Sequence, residues 1–292
     1  YHPNTAARSL ASPVLRTVGV LFRRQRSTID ANDLDYVDGI RRALEPSGLQ
    51  VVIPVMTSSA PLIELRSLVR SGSLGGAILM DVSQDDEREA MLLEEKIPTV
   101  LIGSSGCTVG APGVDTDFAQ MAHEAVKHLA GLGHRRIVAL MRETSADDAH
   151  ARQDQAQELL RAAVDLGVDV LVRQVPELAL AGSAIVGADG LVEGRSAVVS
   201  NNPAALVGLA CAAQAHGLSI PADLSVLTLG ITECHGRQGE AFSEFSVDRE
   251  AMGAAVGSLL LARLRGEPVP AERSTLMSAV LSDRGSTARC RS

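Results

Sequence analysis

The chain has 292 residues, enough for two domains with separate cores, and 46% hydrophobic against 21% charged residues mark it as globular rather than disordered. Aromatics make up 2% with no Trp, so cores must be built from Ala, Val, Leu and Ile; this argues against an aromatic-walled sugar pocket or a base-stacking platform for single-stranded nucleic acid. A formal charge of −8, taken alone, argues against nucleic-acid binding, and Cys107, Cys211, Cys234 and Cys290, lacking CxxC spacing, fit a reduced cytoplasmic protein better than a disulfide frame or zinc site.

The chain starts YHPNTAARSL. Pro3 fixes φ ahead of Asn4, a good capping residue, and Thr5 to Leu10 form an Ala-rich helix of about two turns. A helix that short is marginal in water, so it is expected to order only against a partner; a frayed terminus is the alternative. The first sixteen residues carry Arg8 and Arg16 and no carboxylate.

From Thr17, short apolar runs alternate with helical ones. VGVLF (18–22), LQVVIPV (49–55), GAILM (76–80) and PTVLIG (98–103) read as strands. Residues 33–48, the run beginning at Pro61, and 87–96 read as helices between them. Continuous apolar strands separated by helices predict a parallel sheet covered on both faces. The series then restarts: a helix over 118–132 stopped by Gly133, a strand over 136–141, a helix over 149–166 and a strand over 168–175. Strands SAVVS and LSVLTL flank a helix over 203–216. A polar stretch (232–244), a helix over 249–265 and a last strand over 277–281 complete the chain. No run is long enough to cross a membrane.

YHPNTAARSL resembles the end of the DNA-reading head and the hinge helix of the LacI/GalR family of bacterial transcription regulators. GHRRI (133–137), IPADLSV (220–226) and DRGSTA (283–288) follow in the family's order, and VSNNPAALVGLACAAQAHGL (199–218) resembles its strand-to-helix segment. The resemblance covers essentially the whole chain. It implies an α/β fold of two doubly wound parallel-sheet subdomains, a type I periplasmic-binding-protein-like clamshell. Residues 1–13 would be the end of the head and the hinge, 14–115 with 246–271 the first effector-binding subdomain, and 116–245 with 272–292 the second. It further implies a homodimer that binds operator DNA through a head the chain largely lacks, and a small-molecule effector in the interlobe cleft. Arg8 and the helix start from Asn4 to Ala7 would meet phosphates, and Leu10 would wedge between base steps. An acidic body with a basic arm then suits a cytoplasmic repressor with no membrane partner. The alternative is a solute-binding protein of a transport system, which shares the clamshell.

No chemistry-bearing motif points to an enzyme, cofactor or metal. The histidines of HEAVKH (His123, His128) are five apart, not the four that place two ligands on one helical face. GAAVG (253–257) reads as small-residue helix packing, His134 as a turn residue before a strand, and Arg135 and Arg136 as surface charges. The ligand residues implied by the resemblance are Arg152, early in its helix, and Asn201 at a strand end. Here the chain departs from the family pattern: Asn202, Gly230 and Gly103 stand where relatives place acidic or polar groups. The loop after the first strand is cationic, with Arg23, Arg24 and Arg26. Two readings remain open: a cleft that prefers an anion such as a phosphorylated sugar or organic acid, and a solvated loop beside a pocket that binds nothing.

Overall fold

The computed structural model describes residues 17–23, 31–54, 56, 61–107, 110–143, 150–187, 194–231, 241–268 and 274–291. In chain order the first half runs β1 (Thr17–Leu21), α1 (Ala31–Leu44), β2 (Gln50–Val52), α2 (Pro61–Arg70), β3 (Gly76–Leu79), α3 (Glu87–Glu94), β4 (Thr99–Ile102) and β5 (Gly113–Thr116). It continues with α4 (Phe118–Gly131), β6 (Arg136–Arg142), α5 (His150–Leu166), β7 (Asp169–Val175), α6 (Ala179–Ser183), β8 (Ala197–Ser200) and α7 (Pro203–Ala215). The last elements are β9 (Ser225–Leu229), β10 (Ser243–Ser246), α8 (Arg249–Leu264), β11 (Ser274–Met277) and β12 (Val280–Ser282).

These elements form two compact units, Tyr1–Asp115 with Arg249–Leu276, and Thr116–Asp248 with Met277–Ser292. Each holds a six-stranded sheet, ordered β11-β5-β4-β3-β1-β2 in the first and β12-β10-β9-β8-β6-β7 in the second. Strands β1 to β5 pair in parallel, as do β6 to β10, while β12 runs antiparallel to β10. Parallel strands need crossover helices, so each sheet is layered with helices and its strands read as unbroken apolar runs. Leu21, Leu65, Leu79, Leu92 and Leu101 build the first core; Val138, Leu140, Val198, Leu206, Val226 and Phe242 build the second.

Helix starts follow local chemistry. Asp117 accepts from Gln120 N at 2.9 Å, and Asn202 accepts from Ala205 N at 3.1 Å with Pro203 as the first helical residue. Gly133, at φ +94°, follows α4 in the conformation that ends a helix. In the first unit α1 and α8 meet backbone to backbone: a Cβ at Gly39 would overlap the carbonyl of Glu250, and one at Gly253 would overlap that of Tyr36. The GAAVG stretch is therefore a packing groove.

Three sequence expectations are corrected. The run 277–281 is not one strand: β11 joins the first sheet and β12 the second, and the third passage between units falls at the end of β11. Gln120 fixes the start of β12 by clasping Ala279, donating to its carbonyl at 3.1 Å and accepting from its N–H at 2.9 Å. Ser243 and Glu244, read as polar loop, begin β10 and are buried there together with Phe245. His134 is a buried junction, not a turn residue. Its Nδ1 lies 3.1 Å from Ser196 Oγ and its Nε2 3.0 Å from both Ser225 Oγ and the Ala288 carbonyl. The DRGSTA segment is thereby fastened to the second sheet, helped by Ser286, whose hydroxyl donates to Val226 O at 2.6 Å and accepts from Ser243 N at 2.7 Å.

Candidate functional site

Doubly wound sheets bind ligands beyond the carboxyl ends of their strands, where the strand order reverses. In the first unit β1 leads outward to β2 and the chain then returns to β3, so the reversal lies between β1 and β3. In the second it lies between β6 and β8. Both places are occupied by polar side chains.

At the first, Arg23 stands two residues past β1 and donates to the hydroxyl of Ser83 and, at 3.3 Å, to Asp86 Oδ2. Arg88 lies across the reversal: one Nη donates to Leu21 O at 2.9 Å, the other to Met80 O at 2.9 Å. It also grips Asp86 through Nε at 3.0 Å and Nη2 at 2.8 Å. Asp86 caps α3 by accepting from Arg88 N at 3.0 Å. Burial opposes the charge on Asp86, but hydrogen bonds and the positive field of Arg88 outweigh it and hold the carboxyl below its ordinary range. One carboxylate thus serves two guanidinium groups. The loop between them holds Asp81 and Asp85 at φ +52° and +51°, left-handed conformations that Asp tolerates better than most residues. Such strain persists only where neighbours fix the backbone, as Arg88 does here.

At the second reversal, Arg142 is the last residue of β6. Its backbone N–H donates to Asn201 Oδ1 at 2.9 Å, and Asn201 Nδ2 donates to Gln155 Oε1 at 2.6 Å. The Arg142 guanidinium pairs with Glu177 at 3.1 Å. Asn202 is wholly buried; besides capping α7, it donates from Nδ2 to Val175 O at 3.0 Å. Gly103 and Gly230 sit at φ +108° and +66°. The backbone at both favours glycine, which gives a local reason for the missing side chains.

Residues 126–287 match the model of the periplasmic binding protein-like domain. The chain belongs to that family. It is 26% identical over 236 residues to catabolite control protein A of Priestia megaterium, covering 78% of this chain and 68% of that protein. It is 30% identical over 185 residues to an HTH-type transcriptional regulator of Streptomyces limosus, covering 62% of this chain and 52% of that one. A LacI-family regulator from Bifidobacterium animalis subsp. lactis shares the fold with a TM-score of 0.81 at 18% identity, over 95% of this chain and all (100%) of that one. These likenesses place the chain among the transcription regulators of the LacI/GalR type.

In this LacI/GalR-type regulator the structure brings Arg23 to one reversal point and Asn201 to the other. Asn202, expected to face a ligand beside Asn201, has both ends of its amide spent inside the second unit. Arg152 belongs to α5, but its side chain lies outside the described residues, as do Arg24 and the whole of Asn4, Ala7, Arg8 and Leu10. Sequence reasoning missed Asp86, Arg88 and Arg142. The first two sit in the run DDERE, which reads as solvated surface, and a strand-final arginine looks like any exposed charge. Among the described residues no cluster of His, Cys, Asp and Glu could hold a metal, and no helix is long and apolar enough to cross a membrane.

Proposed function

We propose that this regulator is a repressor whose effector is an anionic metabolite, a phosphorylated sugar or an organic acid. The candidate residues for its acidic group are Arg23 in the first unit and Arg152 and Asn201 in the second. The observation that carries this reading is the placement of Arg23 at the first reversal point, where it shares the carboxylate of Asp86 with Arg88. Arg23 keeps 26% of its side chain exposed, enough to accept a further acidic partner. Glycines at 103 and 230 and the amide at 202 remove the charges that would repel one.

The effector would act by linkage. A ligand with unequal affinity for two arrangements of the units shifts their populations, and the favoured arrangement decides whether two hinge helices of a homodimer can meet on operator DNA. Arg8 and Leu10 supply the phosphate and minor-groove contacts in that picture.

A second reading also has an observation behind it. Asn201 is held by Gln155 and Arg142, and Arg23 by Ser83 and Asp86, so both polar sets are satisfied without a ligand. A site of that kind would bind nothing. Melting curves of the protein with glucose 6-phosphate, citrate and neutral glucose decide between the two. Stabilisation by an anion that Arg23→Ala abolishes supports the anionic effector, and identical curves with all three favour the closed site.

A further inference from the structure

We infer that Arg142 is a second anion-holding, specificity-determining residue, kept in place by Glu177 until a ligand replaces that carboxylate. The inference rests on the anionic-effector reading and extends it to a residue of the second unit that the sequence did not single out.

Three observations carry it. Arg142 closes β6, directly beside the point where the strand order of the second sheet reverses, and its backbone N–H is held from across that gap by Asn201 Oδ1 at 2.9 Å. The strand end is thereby fixed through the main chain, while the guanidinium pairs with Glu177 at 3.1 Å. The side chain is 16% exposed, so its charge acts in a less watery medium than a surface arginine's, yet it is not sealed off. Finally, the two units differ in how they neutralise these arginines. Asp86 is 1% exposed and bound by several donors, whereas Glu177 is 43% exposed, sits between β7 and α6, and meets Arg142 at 3.1 Å. A half-exposed carboxylate on a connecting segment is a weak, salt-screened partner, one that a multiply charged ligand can displace. The chemistry expected at this point is a phosphate or carboxylate group, which a guanidinium grips through two parallel N–H bonds.

Glu177 competes with the ligand for Arg142, so its neutralisation should strengthen binding while loss of Arg142 weakens it. The experiment is a calorimetric titration of the full chain with glucose 6-phosphate, fructose 1,6-bisphosphate and citrate, glucose serving as the uncharged control, at low and high salt. Wild type is expected to bind at least one of the anions. Arg142→Gln should weaken that binding about tenfold or more, and Glu177→Gln should tighten it several-fold at low salt, with the gain shrinking at high salt. Arg142→Lys, which keeps the charge but not the fork, should fall between wild type and Arg142→Gln. The Asn201 contact uses the backbone of Arg142, so these variants retain it, and Glu177→Gln leaves Arg142 itself untouched should the others fold poorly. Equal affinities in wild type, Arg142→Gln and Glu177→Gln, with Arg23→Gln impaired, overturn the role of Arg142 and leave the anionic effector standing. A wild-type protein that binds none of the three anions overturns both.

Discussion

His134 and Ala288, at opposite ends of the second unit's sequence, are joined by a 3.0 Å contact between an imidazole Nε2 and a backbone carbonyl. The bond pins the C-terminal segment over the amino-terminal side of β6. It also makes the fastening sensitive to acid. Burial lowers the pKa of His134 below the ordinary imidazole value, with the Ala288 carbonyl acting in the opposite direction. Burial lowers that of His128 too, against the field of Asp283; its Nε2 meets Thr287 Oγ1 at 2.9 Å.

A depressed histidine pKa means that the unfolded chain takes up protons before the folded one. The stability these neutral rings allow is fully present above pH 6.5 and declines as the pH falls through that value toward their folded pKa values. Urea midpoints should drop between pH 7.5 and 5.5, and the drop should shrink in His134→Gln. At pH 7.5 the substitution itself should cost about 2 kcal/mol, because Ser196, Ser225 and Ala288 lose a buried partner.

Arg88 makes the sharpest stability prediction in the first unit. Arg88→Met fills similar space but leaves the carboxylate of Asp86, which is 1% exposed, to Arg23 and backbone N–H groups, and takes one donor from each of the carbonyls of Leu21 and Met80. The expected loss is about 3 kcal/mol by denaturant titration. In wild type the depressed pKa of Asp86 contributes stability that is present above its ordinary value of 3.8 and is lost as the pH falls through the lower folded value. Arg88→Met should therefore flatten the acid limb of the stability profile.

Two glycine substitutions should have opposite signs. Gly253→Ala forces a methyl group into the carbonyl of Tyr36 and must push α1 from α8, costing about 2 kcal/mol or more. Gly131→Ala, at the end of α4 with nothing within 4 Å, should gain up to about 1 kcal/mol from helix propensity alone. Melting temperatures of the two variants check the packing and the helix end together.

Much of the scaffold was legible because its signals are local. The Asn202-Pro203 start of α7, the Gly133 stop and the uninterrupted apolar strands are determined within a few residues of themselves. The same holds for the small-residue face of α8, whose spacing announces a close helix contact. What escaped depends on distant partners. The neighbours of His134 come from residues 196, 225 and 288, so its neighbours in the chain make it look like turn material. The apolar run that becomes β11 and β12 carries no mark of the change of sheet, which Gln120 enforces from 159 residues away. The candidate site was half visible for the same reason. Asn201 and Arg23 were recognisable by position, while Arg88 and Arg142 acquire meaning only when the strand ends are brought together.

Restoring a carboxylate tests the charge argument itself. Gly230→Asp places an acid at the end of β9, at a φ of +66° that Asp can adopt for about 1 kcal/mol. The variant should lose affinity for anions several-fold and discriminate less against neutral glucose, as judged by calorimetric titration. An unchanged preference would show that residue 230 does not sense the ligand's charge.

The central claim is that an anion is received at the carboxyl ends of the strands in both units. Hydrogen exchange of wild type, with and without the best-binding anion, addresses it directly. The account predicts added protection at residues 22–23 and 80–88 in the first unit and at 142–143 and 200–202 in the second, with the amino-terminal sides of both sheets unchanged. Protection confined to other surfaces, or none at a saturating anion concentration, would contradict it.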